Sequence, residues 1–493
     1  MFTTDQDDFD HKTTLLGGKM EEQTNKLKKW LILFNVALSV FMATLDSSIV
    51  NIALPIISKK MMVNISSIQW IVTSYLLTIS VLLLIWGKIA DQYGKKKVFA
   101  FGIFIFTIGS LLCGFAQNLP LLVFARVLQA IGASATMALS QGIITATFPV
   151  NERGSALGIT GTTVAIGSLL GPSLGGVLVH AFGWQSIFFI NVPIGIIGTI
   201  LTFIIIPELD KGSIIKGFDY KGSILFMTAI LVFFLGLLFI QDNVLPIFMF
   251  IPVLLLSAGM LYGFISYERK RKNPLINLVL FKIRVFSMGI ICAFLSFIAI
   301  FSTTLFIPFF LQYILQLDTL KAGLLMSFYP ATTAIFAPIS GWLSDKLSYR
   351  YLTIAGLSIS TLTLFAMTTI HSSTPYAVIA ILMSLLGLGV SVFQSPNTNS
   401  IMCAVPRNEL GIAGGINALS RNLGMVSGVT LSVILFTFTT KMNINNMNVN
   451  TASNTTLFLK GFHFVMLLAA FSSLIAVIIS LVRSVTVVSK SVD

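Results

Sequence analysis

The chain has 493 residues, 55% of them hydrophobic and only 10% charged, and its 31 Lys/Arg against 18 Asp/Glu leave a net charge of +13. Soluble globular domains carry about a quarter charged residues, so that class is excluded. The three cysteines, Cys113, Cys292 and Cys403, lack the spacing of a disulfide framework or a metal site, and neither a metal nor a cofactor is expected.

Residues 1–28 are polar, with Asp5, Asp7, Asp8 and Asp10 followed by Lys26 and Lys28. No apolar core of signal-peptide length occurs there, so this segment reads as a disordered cytoplasmic tail. Beyond it, fourteen apolar runs lie near 30–57, 68–86, 98–116, 120–147, 155–180, 186–206, 220–240, 245–267, 286–313, 320–343, 351–370, 375–402, 411–438 and 457–482. Each suits a hydrocarbon core of ~30 Å, which a helix of about 20 residues crosses. The runs are continuous rather than alternating, which predicts helices, because backbone groups in lipid must pair within their own segment.

Charge placement orients these spans. With residue 1 inside, the inner segments hold 24 Lys/Arg, and the outer loops hold five: Lys59, Lys60, Lys321, Lys441 and Lys460. The remaining two, Arg126 and Arg421, lie within spans. This positive-inside bias puts both termini in the cytoplasm and accounts for the net charge without nucleic acid. All five tryptophans (Trp30, Trp70, Trp86, Trp184, Trp342) fall at predicted helix ends, as an interfacial belt requires.

In the first span, Asp46 is the one acidic residue deep in a run. It lies about 24 Å from the inner surface, and Arg126 in the fourth span about 9 Å from the outer surface, at 1.5 Å rise per residue. In a ~30 Å core these depths agree, so the two side chains can meet. Desolvation and an opposite charge pull a carboxyl in opposite directions, which suits a group that binds and releases a proton; a permanent salt bridge is the alternative.

Between spans 2 and 3, Gly87, Asp91, Gly94 and Lys95 mark an inner turn. Asp91 can cap a helix N-terminus, with the lysines of 95–97 in the aqueous interface. This turn reads as a latch between halves, or else as a turn that only sets topology. Along span 5, Gly167, Gly171 and Gly175 lie four apart, with Pro172 and Gly176 beside them, so two helices can approach closely and the proline bends the span.

Two echoes then divide the chain. Pro149, Asn151, Glu152, Gly154, Ala156, Gly158, Gly167 and Gly171 each recur at +257, and Gly87 and Asp91 recur at +254 as Gly341 and Asp345. Nearly equal offsets imply that one half is a diverged copy of the other in the same orientation. Duplicated apolar halves point to a secondary transporter with its substrate path at the seam. The resulting units are a tail at 1–28, a six-helix half at 29–206, linkers and inserted helices 7 and 8 at 207–284, a second six-helix half at 285–482, and a cytoplasmic tail at 483–493. The linker after helix 8 carries Arg269, Lys270, Arg271, Lys272, Lys282 and Arg284, a cluster able to meet anionic headgroups.

The segment GSLLGPSLGG at 167–176 resembles the antiporter signature of the major facilitator superfamily, and residues 87–97 resemble its inner-loop signature. Arg126 to Gly132 resembles its fourth-helix signature. Leu45 to Pro55, the fourteen spans and Ile190 to Gly195 together look like its drug:proton antiporter-2 branch. The resemblance covers about residues 30–482. It implies a major facilitator fold, Asp46 as proton site with Arg126 as its partner, Asp91 as a stabiliser of the outward-facing state, and an exporter-type contact at Gly171 and Pro172. Gln92, Ala130 and Gln185 depart from the usual residues, and Gln92 removes a fixed charge from the inner loop.

The expectation is an all-α membrane protein of two six-helix halves plus two inserted helices. It would be a proton-driven exporter of hydrophobic small molecules, energised by the proton gradient, acting as a monomer in a bacterial plasma membrane. Export of one endogenous metabolite is the first alternative within transport and sugar or peptide import a lesser one, since the first-helix Asp and the 167–176 stripe suggest exchange. An enzyme or receptor would need a catalytic set or a signalling domain, and neither is evident. Residues expected to line the cavity are Tyr75, Gln129 and Met137 in the first half, and Gln312, Tyr329, Gln394, Asn397, Asn417 and Arg421 in the second. Amides, aromatics and Met suit adaptable binding.

Overall fold

The computed structural model describes residues 4–63, 68, 70–208, 219–241, 247–271, 274–317, 319–440 and 452–483, with backbone alone for 4–26 and a few other helical positions. Its long helices, in chain order, are α1 (Thr4–Met61), α2 (Trp70–Tyr93), α3 (Lys95–Phe115), α4 (Leu119–Thr147), α5 (Arg153–Phe182), α6 (Asn191–Ile205) and α7 (Tyr220–Gln241). They continue with α8 (Phe250–Glu268), α9 (Arg284–Phe309), α10 (Thr319–Lys346), α11 (Tyr349–Met367), α12 (Tyr376–Cys403), α13 (Leu410–Thr440) and α14 (Ala452–Val482). Among the described residues, 13 helices are long and apolar enough to cross a membrane, and α7 carries a shorter apolar stretch, Tyr220–Gly236. At 22 residues, α7 still extends about 33 Å. The fourteen predicted spans are all present, and the chain is a multi-pass membrane protein.

Local chemistry sets the helix ends. Asn118 Oδ1 accepts the Leu121 N–H at 2.9 Å and Pro120 sits in the first turn, so α4 starts there. Gly94, at φ 98°, turns the chain between α2 and α3 where a side chain would be strained. The sixth span is broken: a single turn, Ser186–Phe189, precedes α6. Pro193 has no N–H to give the Phe189 carbonyl, which disrupts the helix at that point.

Helices α1–α6 and α9–α14 form the two halves, while α7 and α8 pack on each other, with α7 also against α2 and α13. The halves meet through α5 on α10 and through α2 on α13. These are reciprocal contacts, since α10 is the repeat of α2 and α13 the repeat of α5. Glycine permits both: Gly154 and Gly158 lie on the backbone of Gly341 and Ala337, and Gly87 and Gly415 on that of Gly411 and Leu83. Phe115, Phe124, Phe203 and Leu362 are exposed on the perimeter, as lipid-facing residues should be.

Three expectations are corrected. Helix α1 begins at Thr4, so the segment at 1–28 is largely helical rather than disordered; the run Lys19–Lys29 is rich in helix formers. Lys95 is buried instead of sitting in the aqueous interface, because Asp91 lies 3.5 Å from its ammonium and compensates the charge. Arg483 does not belong to a solvated tail but folds back into the second half, buried at 1% exposure.

Candidate functional site

Asp46 and Arg126 meet. Asp46 is fully buried on α1, and its Oδ2 accepts a hydrogen bond from Arg126 Nη1 at 2.6 Å. Its Oδ1 accepts from Gln129 Nε2 and from Asn191 Nδ2, both at 2.9 Å. Arg126 Nε donates to the Ile71 carbonyl at 3.2 Å, Nη1 also reaches Gln129 Oε1 at 2.5 Å, and the Tyr75 ring lies 4.0 Å from the guanidinium carbon. Gln129 Nε2 is shared with Ser110 Oγ at 2.7 Å. Arg126 and Gln129 are three apart on α4 and therefore share a face. Asn191 enters from the first turn of α6, just past the break near Pro193. Five helices thus converge on one carboxylate inside an apolar shell of Ile49, Val50, Cys113 and Leu122. A buried charge pair persists only when its remaining donors and acceptors are satisfied, and here each Asp46 oxygen has a donor.

The second constellation lies on the Lys/Arg-rich face. Asp91 Oδ1 and Oδ2, at the end of α2, accept the backbone N–H groups of Gly411 and Ile412 at 2.9 and 2.8 Å. Asp345 Oδ1 and Oδ2, at the end of α10, accept those of Gly154 and Ser155 at 2.6 and 2.8 Å, and Ser155 Oγ adds a third bond at 2.8 Å. Each carboxylate from one half sits on the positive end of a helix from the other, α13 and α5 respectively. The two echoes in the sequence are therefore the two sides of one device, used twice. Gln92 beside Asp91 is buried with its Nε2 unpartnered. Ala130 is fully buried, and Gln185 stands at the start of the Ser186–Phe189 turn.

The glycine stripe of α5 faces α1 beside the carboxylate. A methyl at Gly171 would collide with Ser48, one at Gly175 would come within 2.7 Å of Ile49 Cγ1, and one at Gly167 within 3.1 Å of Thr44 Cβ. Gly176 has nothing within 4 Å and stands outside the contact. The bend assigned to Pro172 concerns a side chain outside the described set.

The expected cavity residues divide. Tyr75 and Gln129 belong to the Asp46 cluster, as given above. Asn397 is buried lower in the second half: its Nδ2 donates to the Gly289 carbonyl at 3.0 Å and its Oδ1 accepts from Arg483 Nη1 at 2.8 Å. An amide inside a span pairs with whichever polar group is nearest, and here that is a returning arginine. Burial lowers the pKa of Arg483 from the ordinary guanidinium value. Gln312 is exposed on the turn Phe310–Ile314 that follows Pro308. Asn417 joins the halves, donating to Gln141 Oε1 at 2.9 Å. Met137 and Gln394 are half-buried. Arg421 lies 4.8 Å from the Phe297 ring and within electrostatic reach of the Tyr329 phenol, and among the described residues no carboxylate pairs with it.

A family model described as "Major Facilitator Superfamily" matches residues 36–429. The chain belongs to the Major Facilitator Superfamily. It is 37% identical over 81% of its length to the riboflavin transporter RibZ of Clostridioides difficile (strain 630), 87% of which is covered. It is 32% identical over 81% of its length to the multidrug resistance protein Stp of Mycobacterium tuberculosis (strain CDC 1551 / Oshkosh), of which 74% is covered. The fold is also that of the human organic anion transporter MFSD10, with a TM-score of 0.62 at 12% identity over 90% of this chain and 99% of the other.

Within this superfamily member, three polar residues escaped the sequence reading of the site: Ser110, Asn191 and Gln141. Asn191 carried a usable signal, a lone amide two residues before Pro193 in an otherwise apolar run. Ser110 and Gln141 carried none, since serine and glutamine are scattered through many spans.

Proposed function

We propose that this transporter is a proton-coupled antiporter that exports hydrophobic small molecules from the cytoplasm. The observation that carries the reading is the Asp46–Arg126 pair, because ionisable residues inside spans are costly and default to function. Multidrug resistance relatives such as Stp support a drug-like or toxic substrate. The Lys/Arg excess on one face supports cytoplasmic termini in a bacterial plasma membrane. One chain contains every part the cycle needs, and the proton gradient supplies the energy without a cofactor.

In the cycle, a proton arriving from outside binds Asp46 Oδ2 and weakens its attraction to Arg126. The guanidinium keeps Gln129 Oε1, the Ile71 carbonyl and the Tyr75 ring as partners. Helix α1 is then free to shift along the small residues of α5, and the halves rock about a midplane cavity that includes Tyr329 and Arg421. Release of the Asp91 and Asp345 caps opens the cytoplasmic face, where the proton leaves and the substrate binds.

The test follows movement of fluorescent cations and zwitterions in liposomes with an imposed pH gradient, for the wild type and Asp46→Asn. Gradient-driven movement of several compounds, lost in the variant, is the expected result. Full coupling by Asp46→Asn would leave the pair a structural salt bridge only. The likeness to RibZ favours a second reading, dedicated transport of one metabolite. Riboflavin moved in this assay, with every dye ignored, would select it.

A further inference from the structure

A crevice of about 1250 Å³ runs between α8, the linker after it, and helices α9 and α13, with Phe226 of α7 at its edge. It is larger than the ~300–1000 Å³ of a usual small-molecule site. It opens beside the α2–α13 seam, with Lys88 of α2 and Ile416 and Leu423 of α13 in its wall, and lies away from the α5–α10 seam. We infer that it binds one anionic phospholipid of the cytoplasmic leaflet, headgroup on Lys88, Arg269 and Lys282 and acyl chains along the apolar wall. The leaflet rests on the orientation proposed above; the binding itself does not.

The chemistry is amphipathic in the order a lipid needs. Arg269, Arg271 and Lys282 are exposed at the mouth and Lys88 is half-buried beside them. Two carboxylates also line the space, but each is bonded towards the linker. Glu268 Oε2 accepts the Ile276 N–H at 3.0 Å, and Glu409 Oε1 accepts from Asn277 Nδ2 at 2.8 Å. Arg271 is taken up by Tyr267, its guanidinium 4.6 Å from the ring. Lys88, Arg269 and Lys282 have no ion pair among the described residues. Four cations (Lys88, Arg269, Arg271, Lys282) against two carboxylates leave the lining with an excess of positive charge, which favours phosphate carrying net negative charge over a zwitterion.

Deeper in, the lining turns apolar, with Leu261, Phe264, Ile290, Phe294, Ile416 and Leu423. The crevice ends where α9 and α13 close on each other, Gly424 against the Phe294 carbonyl and Gly428 against that of Ile298. Ser420 Oγ, bonded to the Ile290 carbonyl at 2.8 Å, ties the same two helices. Water in such a slot would face hydrocarbon, whereas acyl chains match it. This gives the inserted pair α7–α8, which has no repeat partner, a task as one wall of a lipid site.

The experiment is native mass spectrometry of the full chain from mixed micelles of phosphatidylglycerol and phosphatidylcholine, with thermal midpoints measured in parallel. The wild type should retain one phosphatidylglycerol with at least tenfold preference and gain thermal stability from it. The triple variant Lys88→Gln, Arg269→Gln, Lys282→Gln should lose both effects, while Lys28→Gln, Lys97→Gln, Lys346→Gln, with equal charge removed elsewhere on the same face, should keep them. Leu261→Trp, which fills the crevice without altering charge, should also lose the lipid, so the idea survives a misfolded triple variant. No preference in the wild type, equal loss in the control triple, or displacement by glycerol phosphate at matched concentration would each overturn it.

Discussion

Asp91 and Gly411 stand 320 positions apart in the chain, yet the Asp91 carboxylate accepts the Gly411 N–H at 2.9 Å and caps a helix of the opposite half. Asp345 does the same for α5. An anion on a helix N-terminus contributes ~1 kcal/mol, about fivefold in an equilibrium constant. Asp91→Asn and Asp345→Asn should therefore each move the population about fivefold towards an open Lys/Arg-rich face, and the double variant should combine both. Spin-label distances between the ends of α2 and α13 check this. Unchanged distributions in the double variant would reduce the caps to turn chemistry.

Removing the buried carboxylate leaves Arg126 with Gln129 Oε1 and the Ile71 carbonyl but no anion. Breaking one side of a buried pair costs ~3–5 kcal/mol. Asp46→Ala should thus lower the thermal midpoint far more than Asp46→Asn, which still accepts from Gln129 and Asn191. Arg126→Lys cannot reach Asp46, Gln129 and Ile71 together and should lose most transport while folding. Asn191→Ala removes one donor worth ~1 kcal/mol, so a transport loss of several-fold, at unchanged expression, is the expected outcome.

The depth argument made the Asp46–Arg126 contact legible before any coordinates, because one rise per residue and one bilayer thickness fix two positions on a common axis. The two halves were legible for a similar reason, since repeat offsets survive divergence. What escaped was azimuth. Gln129 and Asn397 are amides within spans, but rise says nothing about which neighbour a side chain faces. The same limit hid the pairing of the echoes, with Asp91 and the Gly411 amide both marked in the sequence and no signal that one receives the other. Lys95 was misread because its compensating charge, four residues back, is itself buried by α13.

The glycine stripe yields a contrast between neighbours. A methyl at Gly171 meets Ser48 on α1, whereas Gly176 faces open space. Overpacking of this kind costs ~1–3 kcal/mol. Gly171→Ala should slow transport and lower the thermal midpoint, and Gly176→Ala should leave both unchanged. Equal behaviour of the two variants would remove the α1–α5 contact from the mechanism.

Gln141 and Asn417 offer the most direct measure of how the halves hold together. Gln141 lies on α4 and Asn417 on α13, both nearly buried, with a single 2.9 Å hydrogen bond between them. A buried hydrogen bond of this type is worth ~1 kcal/mol net, and more when one partner is left unsatisfied. Gln141→Ala and Asn417→Ala should each loosen the closed Lys/Arg-rich face, and the double variant should loosen it by less than their sum, as a double-mutant cycle requires for partners. The same spin-label distances across α2 and α13 supply the readout. Strict additivity would mean that the bond forms without contributing to closure, leaving the Asp91 and Asp345 caps to carry it.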